Sequence, residues 1–289
     1  MDYEFPLYRP PSEGNSLILQ ITVGCSHNQC TFCYMYKTKK FRVKTLEEIE
    51  KHINSAKKEY PNTTRIFLAD GNALSMDTRL LVEIIQRLYL EFNHLERVTA
   101  YAGPNDILRK TDKELEELRS SGLTMLYLGV ESGSTQVLKN IKKGVTPEKM
   151  IEAGQRAIRA GFQLSCMIIS GLGGKELWKE HALESAKVIS AIDPDYLALL
   201  TLLVEEGTEL YSQVESGTFS LLSPEEVIDE TKLFLDNLEL TDCVFRSNHP
   251  SNYITLKGIL NRDKDKLITI LTKAQEDEIE FKPEYWRVL

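Results

Sequence analysis

From about Ser16 to Leu203, short apolar runs alternate with amphipathic stretches. The apolar runs predict strands over 16–23, 64–69, 97–102, 125–129, 163–169 and 196–203. Between them, apolar positions recurring three and four apart predict helices over 45–60, 77–92, 112–121, 147–160 and 176–192. Several of these carry their own ends. Thr45 with Glu48 reads as a capping box, Thr146 precedes a first-turn Pro147, and Gly122 and Gly161 supply stops. Six strand–helix alternations predict right-handed parallel βαβ units. The run Cys166-Met167-Ile168-Ile169 is apolar at successive positions, as a strand covered on both faces must be. The fold class is therefore α/β, either a doubly wound sheet or a full or partial β/α barrel. Both place reactive groups in the loops after the strands' C-terminal ends.

Beyond about Glu205 the pattern changes. A helix is predicted over 223–238, a short strand over 243–246 and another helix over 259–275, followed by an aromatic tail with Tyr285 and Trp286. The organisation read from this is a lead-in over 1–15, a core over 16–205 and a packed α/β extension over 206–289.

Chemistry enters with Cys25-x4-Cys30-x2-Cys33, directly after the first apolar run. Three local thiolates would leave one iron of a four-iron cluster without a protein ligand, open to a reacting molecule. The spacing alone admits other readings. Plant-type two-iron ferredoxins use it with a fourth cysteine further on. The later candidates, Cys166 in an apolar run and Cys243 in the extension, read as packed thiols. A zinc site would want a fourth ligand, for which His27 is the local candidate. Five cysteines, an odd number with three crowded into one loop, fit a reducing cytoplasm better than a disulfide scaffold. A net charge of −8 disfavours non-specific nucleic-acid binding. No apolar stretch approaches a membrane span, and residues 1–4 lack the basic, apolar pattern of a secretory signal. The basic cluster Lys37, Lys39, Lys40, Arg42 and Lys44 is either a solvated loop or a collar attracting an acidic electron donor or anionic substrate.

Residues 21–34, Ile-Thr-Val-Gly-Cys-Ser-His-Asn-Gln-Cys-Thr-Phe-Cys-Tyr, resemble the cluster loop of the radical S-adenosylmethionine (radical SAM) superfamily. The loop has four residues, not the commoner three, between its first two cysteines. Two further segments resemble the branch that includes methylthiotransferases and oxygen-independent coproporphyrinogen oxidase-like proteins. These are Gly129-Val130-Glu131-Ser132-Gly133-Ser134 with Lys143-Gly144, and Ile168-Ile169-Ser170-Gly171-Leu172-Gly173-Gly174. The resemblance implies a partial (β/α)6 TIM-like barrel in which Cys25, Cys30 and Cys33 hold a [4Fe–4S] cluster. The fourth iron would chelate S-adenosylmethionine, whose reductive cleavage gives a 5′-deoxyadenosyl radical.

It further implies that Phe32 lies beside the cluster and the backbone at Tyr34 meets the adenine. Asp70-Gly71-Asn72 stands where the family often has Gly-Gly-Glu, so Asn72 would offer an amide oxygen in place of a carboxylate. Glu131 becomes the candidate for the ribose hydroxyls, assisted by Gln163 and Ser165. Ile168 and Ser170 would form the adenine wall and turn, and Leu199 would add apolar contact. Arg246 and His249, in the polar run 246–253, suit an anionic small-molecule substrate, with Tyr101 after the third strand a further candidate. A flavodoxin or ferredoxin-type reductant is expected. The competing class is an electron-transfer or cluster-carrier protein without SAM chemistry. Two spare, separated cysteines are too few for the usual auxiliary cluster of a methylthiotransferase.

Overall fold

A computed structural model describes residues 2–276 and 278–287. In chain order the strands and helices begin with β1 (Leu17–Gln20), β2 (Thr22–Val23), β3 (Arg42–Val43), α1 (Leu46–Glu59), β4 (Arg65–Ala69) and α2 (Thr78–Glu91). There follow β5 (Arg97–Ala102), α3 (Pro104–Arg109), α4 (Asp112–Ser120), β6 (Leu123–Glu131), α5 (Thr135–Asn140) and α6 (Pro147–Arg159). The chain continues through β7 (Gln163–Ser170), α7 (Gly174–Ile192), β8 (Tyr196–Thr201), α8 (Glu209–Glu215) and α9 (Pro224–Asp236). It closes with β9 (Cys243–Ser247), β10 (Leu256–Leu260) and α10 (Lys264–Gln275). Among the described residues no helix is long and apolar enough to cross a membrane.

Two compact units share these elements, and chain order does not divide them cleanly. The first takes residues 1–28, 35–128 and 153–164; the second takes 29–34, 129–152 and 165–289.

In the first unit β1, β4, β5 and β6 pair in that order, all parallel. Ile66 to Ala69 are buried at four successive positions, which only a strand covered on both faces tolerates. The helix α1 starts at the capping box of Thr45 and Glu48, in which each side chain accepts from the other's backbone N–H. Its Ile49, Ile53 and Ala56, spaced by four and three, form the buried stripe. A two-residue antiparallel ladder, Thr22 opposite Val43 and Val23 opposite Arg42, closes the neck of the loop that carries the cysteines.

An ion pair without solvent locks that neck. Asp70, fully buried at the end of β4, accepts on Oδ2 from Lys39 Nζ at 2.7 Å and from Gln20 Nε2 and the Gly24 N–H at 3.0 Å. Lys39 also donates to the carbonyls of Glu4 and Pro6, each at 2.6 Å. The basic run is thus only partly a surface feature: Lys39 and Lys44 are buried, and Arg42 pairs with Glu4 and Glu48. Lower in the same unit, buried Glu13 of the lead-in accepts from Arg97 at 2.5 Å and from Tyr127 Oη at 2.6 Å.

In the second unit β7 and β8 are parallel, β9 joins β8 in parallel, and β10 returns antiparallel to β9. Ile259 therefore lies in a strand, not at the start of a helix; α10 begins only at Lys264. The Asp263 carboxylate accepts the Ile259 N–H at 2.8 Å and fixes this corner.

Two buried polar side chains brace the strand ends of this unit. His181 of α7 has Nε2 3.0 Å from the carbonyl of Ile169, an acceptor only, so Nε2 carries the proton. Its Nδ1 then accepts from Ser132 Oγ at 2.8 Å. Glu230 of α9 accepts on Oε1 from Ser170 Oγ at 2.6 Å and from the Gly171 N–H at 2.7 Å. Burial depresses His181 to about 4 and lifts Glu230 to about 7.

The linkage signs oppose. A depressed histidine contributes stability that is whole above its unfolded value of 6.5 and is lost as pH falls towards 4. A raised carboxyl contributes stability that is whole below 4.5 and is lost as pH rises through about 7. Between 4.5 and 6.5 the two slopes, each about 1.4 kcal/mol per pH unit, offset one another. Urea unfolding across that window should therefore show Glu230→Gln gaining stability with rising pH relative to wild type, and His181→Leu losing it. Lys39→Met, which leaves Asp70 buried without its cation, should cost about 3–5 kcal/mol in the same assay.

Candidate functional site

The cysteine loop opens in the first unit. Cys25 is half-buried, and a Cβ placed on Gly71 would stand 3.2 Å from the Cys25 Cβ and 2.7 Å from a ring carbon of Tyr36. Only glycine fits there. The Gly71 N–H donates to the Gly24 carbonyl at 3.1 Å, so the turn after β4 lies directly against the first cysteine. Asn72 fastens the same turn: its Nδ2 donates to Ser26 Oγ at 2.7 Å and to Asp106, while its Oδ1 accepts the Gly103 N–H at 3.1 Å. Within this unit Cys25, Asp70, Gly71 and Asn72 thus come together as neighbours. Asp70 Oδ2 holds Lys39, Gln20 and the Gly24 N–H, while its Oδ1 is buried with no partner, and the amide oxygen of Asn72 accepts from Gly103. Both side chains thus help to build the turn. Tyr101, half-exposed on β5, stands edge-on to Phe67 at 5.0 Å and to Tyr127 at 6.2 Å.

The remainder of the loop belongs to the second unit. The Thr31 N–H donates to the Ile141 carbonyl, and the Thr31 carbonyl accepts from the Leu210 N–H, both at 3.0 Å. These two bonds hold residues 30–33 between α5 and α8. Phe32 packs on an apolar cluster that includes Leu138, Ile141, Leu172 and Leu210. Cys30 and Cys33 are half-buried, the Cys33 N–H turning back to the Cys30 carbonyl at 3.4 Å. Tyr34 is 41% exposed. None of the five cysteines is in a disulfide.

At the end of β6, Glu131 adopts φ +64°, a left-handed conformation that a non-glycine residue enters at a cost of order 1–3 kcal/mol. The turn folds its carboxylate back over Gly129, where a Cβ would collide with Oε1. Lys143 Nζ donates to Oε1 at 2.9 Å. The other oxygen, Oε2, is buried with no partner. A buried carboxylate oxygen left unmatched is costly, and a vicinal diol is a suitable donor for it.

On β7 the implied residues separate. Gln163 is exposed at the strand's start and Ser165 follows two positions on, whereas Ile168 and Ser170 are buried towards the C-terminal end. Leu199, 3% exposed on β8, is core. In the extension, Arg246 is exposed on β9 and donates to its own neighbour's carbonyl at Phe245. His249 accepts the Ser251 N–H on Nδ1 at 3.1 Å, and burial lowers its pKa. Ser251 and Asn252 are committed to the end of β8: Asn252 Nδ2 donates to the Leu199 carbonyl at 2.8 Å, and its Oδ1 accepts from Thr201 Oγ1 at 3.0 Å. Arg287 stacks on Tyr253 and donates to the carbonyls of Ser251 and Leu202.

Sequence reasoning named Lys39 only as part of a basic loop or collar, not as a buried partner of Asp70, and it missed His181 and Glu230. The last two carried a signal. Glu230 falls on the stripe set by Val227, Thr231 and Phe234, and His181 on that of Ala182, Ser185 and Ile189, so both were placed to face inward.

Residues 19–186, more than half of the chain, match the Radical SAM superfamily. Curated relatives include 3-methylornithine synthase of Methanosarcina barkeri, 24% identical over 87% of this chain and 75% of the relative. Heme chaperone HemW of Bacillus subtilis is 21% identical over 74% of this chain, which spans 58% of that relative's length. Among solved structures, methylornithine synthase (PylB) superposes with a TM-score of 0.54 at 20% identity, covering 91% of this chain and 81% of that one. Coproporphyrinogen III oxidase from Escherichia coli gives 0.56 at 16%, covering 76% and 52%. At such identities the likeness establishes the fold, the α/β class of partial TIM-like barrel typical of radical SAM proteins. The cofactors of that family are a [4Fe–4S] cluster and S-adenosylmethionine. With its family segment and its Cys25, Cys30 and Cys33 in one loop, the chain belongs to the radical SAM superfamily.

Proposed function

We propose that this protein cleaves S-adenosylmethionine reductively and uses the product to take a hydrogen atom from an anionic small molecule. The observation that carries the reading is the Cys25-x4-Cys30-x2-Cys33 loop inside a matched family segment, together with a buried, unmatched carboxylate oxygen on Glu131. The residues fit the cofactors by donor chemistry. Cys25, Cys30 and Cys33 supply three half-buried thiols, and Glu131 Oε2 offers an acceptor to a ribose.

A [4Fe–4S] cluster held by Cys25, Cys30 and Cys33 would pass one electron from an external reductant to the sulfonium, whose carbon–sulfur bond would cleave to methionine and a 5′-deoxyadenosyl radical. The chain's own residues orient and shield. Gly71 lets backbone approach Cys25, Phe32 seals the loop with apolar cover, and Lys143 holds Oε1 of Glu131 so that Oε2 faces a ligand. The exposed Lys37 and Lys40 favour an acidic reductant of the flavodoxin or ferredoxin type. Arg246, exposed and always charged, and His249, kept neutral by burial, are the residues assigned to an anionic substrate.

Anaerobic reconstitution with iron and sulfide, then dithionite and S-adenosylmethionine, should release 5′-deoxyadenosine. Serine at Cys25, Cys30 or Cys33 should abolish both the cluster absorption and that release. A cluster that forms but neither binds nor cleaves S-adenosylmethionine would instead mark an electron carrier. Glu131→Gln, which removes a charged acceptor but not the cluster, should weaken S-adenosylmethionine binding about 10-fold, as read by equilibrium dialysis.

A further inference from the structure

The turn after β7 is built tightly. Gly171 has φ +84°, a Cβ on Gly173 would stand 3.0 Å from the His181 Cβ, and one on Gly174 would stand 3.0 Å from the Ser220 carbonyl. A single oxygen, Glu230 Oε1, takes both polar donors this turn directs at α9: the Ser170 hydroxyl and the Gly171 N–H. Glu230 is 2% exposed, and its second oxygen is buried without a partner. Both hydrogen bonds of the side chain therefore go to two adjacent residues of one turn.

Such a carboxyl can be neutral or ionised, and the two forms hold the turn differently. An ionised acceptor makes shorter, stronger bonds to N–H and O–H donors than a neutral one. The groups facing Glu230 do not override this. His181 of α7 lies with Nε2 3.9 Å from Oε1, but that N–H is given to Ile169, and burial keeps the ring neutral. Lys175 of α7 pairs with Glu226, one turn earlier on α9, at 3.2 Å. Towards α10, Lys232 and Asp229 are engaged with Thr272 and Gln275. No lysine or arginine among the described residues is within ion-pair distance of Glu230.

We propose that Glu230 is a positioning residue: its ionised carboxylate holds the Ser170–Gly171 turn in the form that receives the nucleoside, and its protonation loosens that turn. The inference rests on the proposed use of S-adenosylmethionine and on the expectation, implied by the resemblance, that its adenine meets this turn. Since burial lifts the group to about 7, the switch falls near neutrality, the ionised form prevailing at higher pH.

Two measurements on the full chain test this. In protein without cluster, the Gly171 amide should gain protection from hydrogen exchange between about pH 6 and about pH 8 relative to amides in the middle of β7, which follow the global fall in stability as Glu230 ionises, after correction for intrinsic rates. In reconstituted protein, affinity for S-adenosylmethionine should rise about threefold or more over the same interval. Glu230→Gln keeps an acceptor of the same shape but cannot ionise, so both responses should be flat and fixed near the wild-type low-pH values. Glu230→Ala, lacking any acceptor, should lose protection at both pH values. A wild-type pH response in Glu230→Gln, in either measurement, overturns the proposal and leaves the enzyme assignment standing. Loaded wild type that fails to bind S-adenosylmethionine at about pH 8 overturns the assignment of the turn, and this inference with it, whatever the amide shows.

Discussion

A carboxylate with no access to water depends on the donors it can gather, and in the first unit the donors gathered on one oxygen of Asp70 fix the neck of the cysteine loop. Asp70 gathers Lys39, Gln20 and the Gly24 amide onto one oxygen. These partners come from the return arm of the loop, from β1 and from the loop's first residue. Isolated from water, none of them can leave without exposing another to an unpaired charge or dipole. The same lysine ties down Glu4 and Pro6, so the lead-in is recruited into the arrangement. The short ladder between β2 and β3 could not hold such a neck alone, since a two-residue pairing is marginal in water.

The second unit solves a related problem with a different balance. His181 and Glu230 enter from helices behind the sheet and meet the ends of strands whose backbone groups would otherwise point into a dry interior. The imidazole serves one donor and one acceptor with its two nitrogens, so neutrality suits it at all but acid pH. Glu230 receives two donors on one oxygen and none on the other, which leaves its charge state sensitive to conditions. Gly173 is the backbone counterpart of this crowding, because a side chain there would press on the Cβ of His181, while one on Gly174 would meet Phe219 and the Ser220 carbonyl.

Much of the core was legible in advance because its strands are apolar at successive positions and its helices announce their ends. The strand at 97–102 and the helix bounds near 46–59 and 147–159 coincide closely with the apolar pattern. The short helices α3, α5 and α8 were not read, since six or seven residues give too little periodicity to separate helix from turn. Residues 256–260 were assigned partly to a helix because Leu, Ile and Leu there suit either state; pairing with β9, a tertiary event, decided it. At the site, the cysteines and Glu131 were readable from motif and strand end. The inward turn of Asp70, Asn72 and Lys39 was not, because a charged or amide residue in a loop gives no local sign of burial. Only the fold supplies the partners that make such burial tolerable.

Glu131 and Gly129 are coupled across the end of β6. The left-handed backbone at 131 swings the side chain across the space a methyl group on residue 129 would fill. Even the smallest chiral replacement at 129 would push the carboxylate off its place beside Lys143. The strand could absorb that change and still fold, so the glycine guards the position of a side chain two residues away, a constraint that no propensity for strand or turn would reveal.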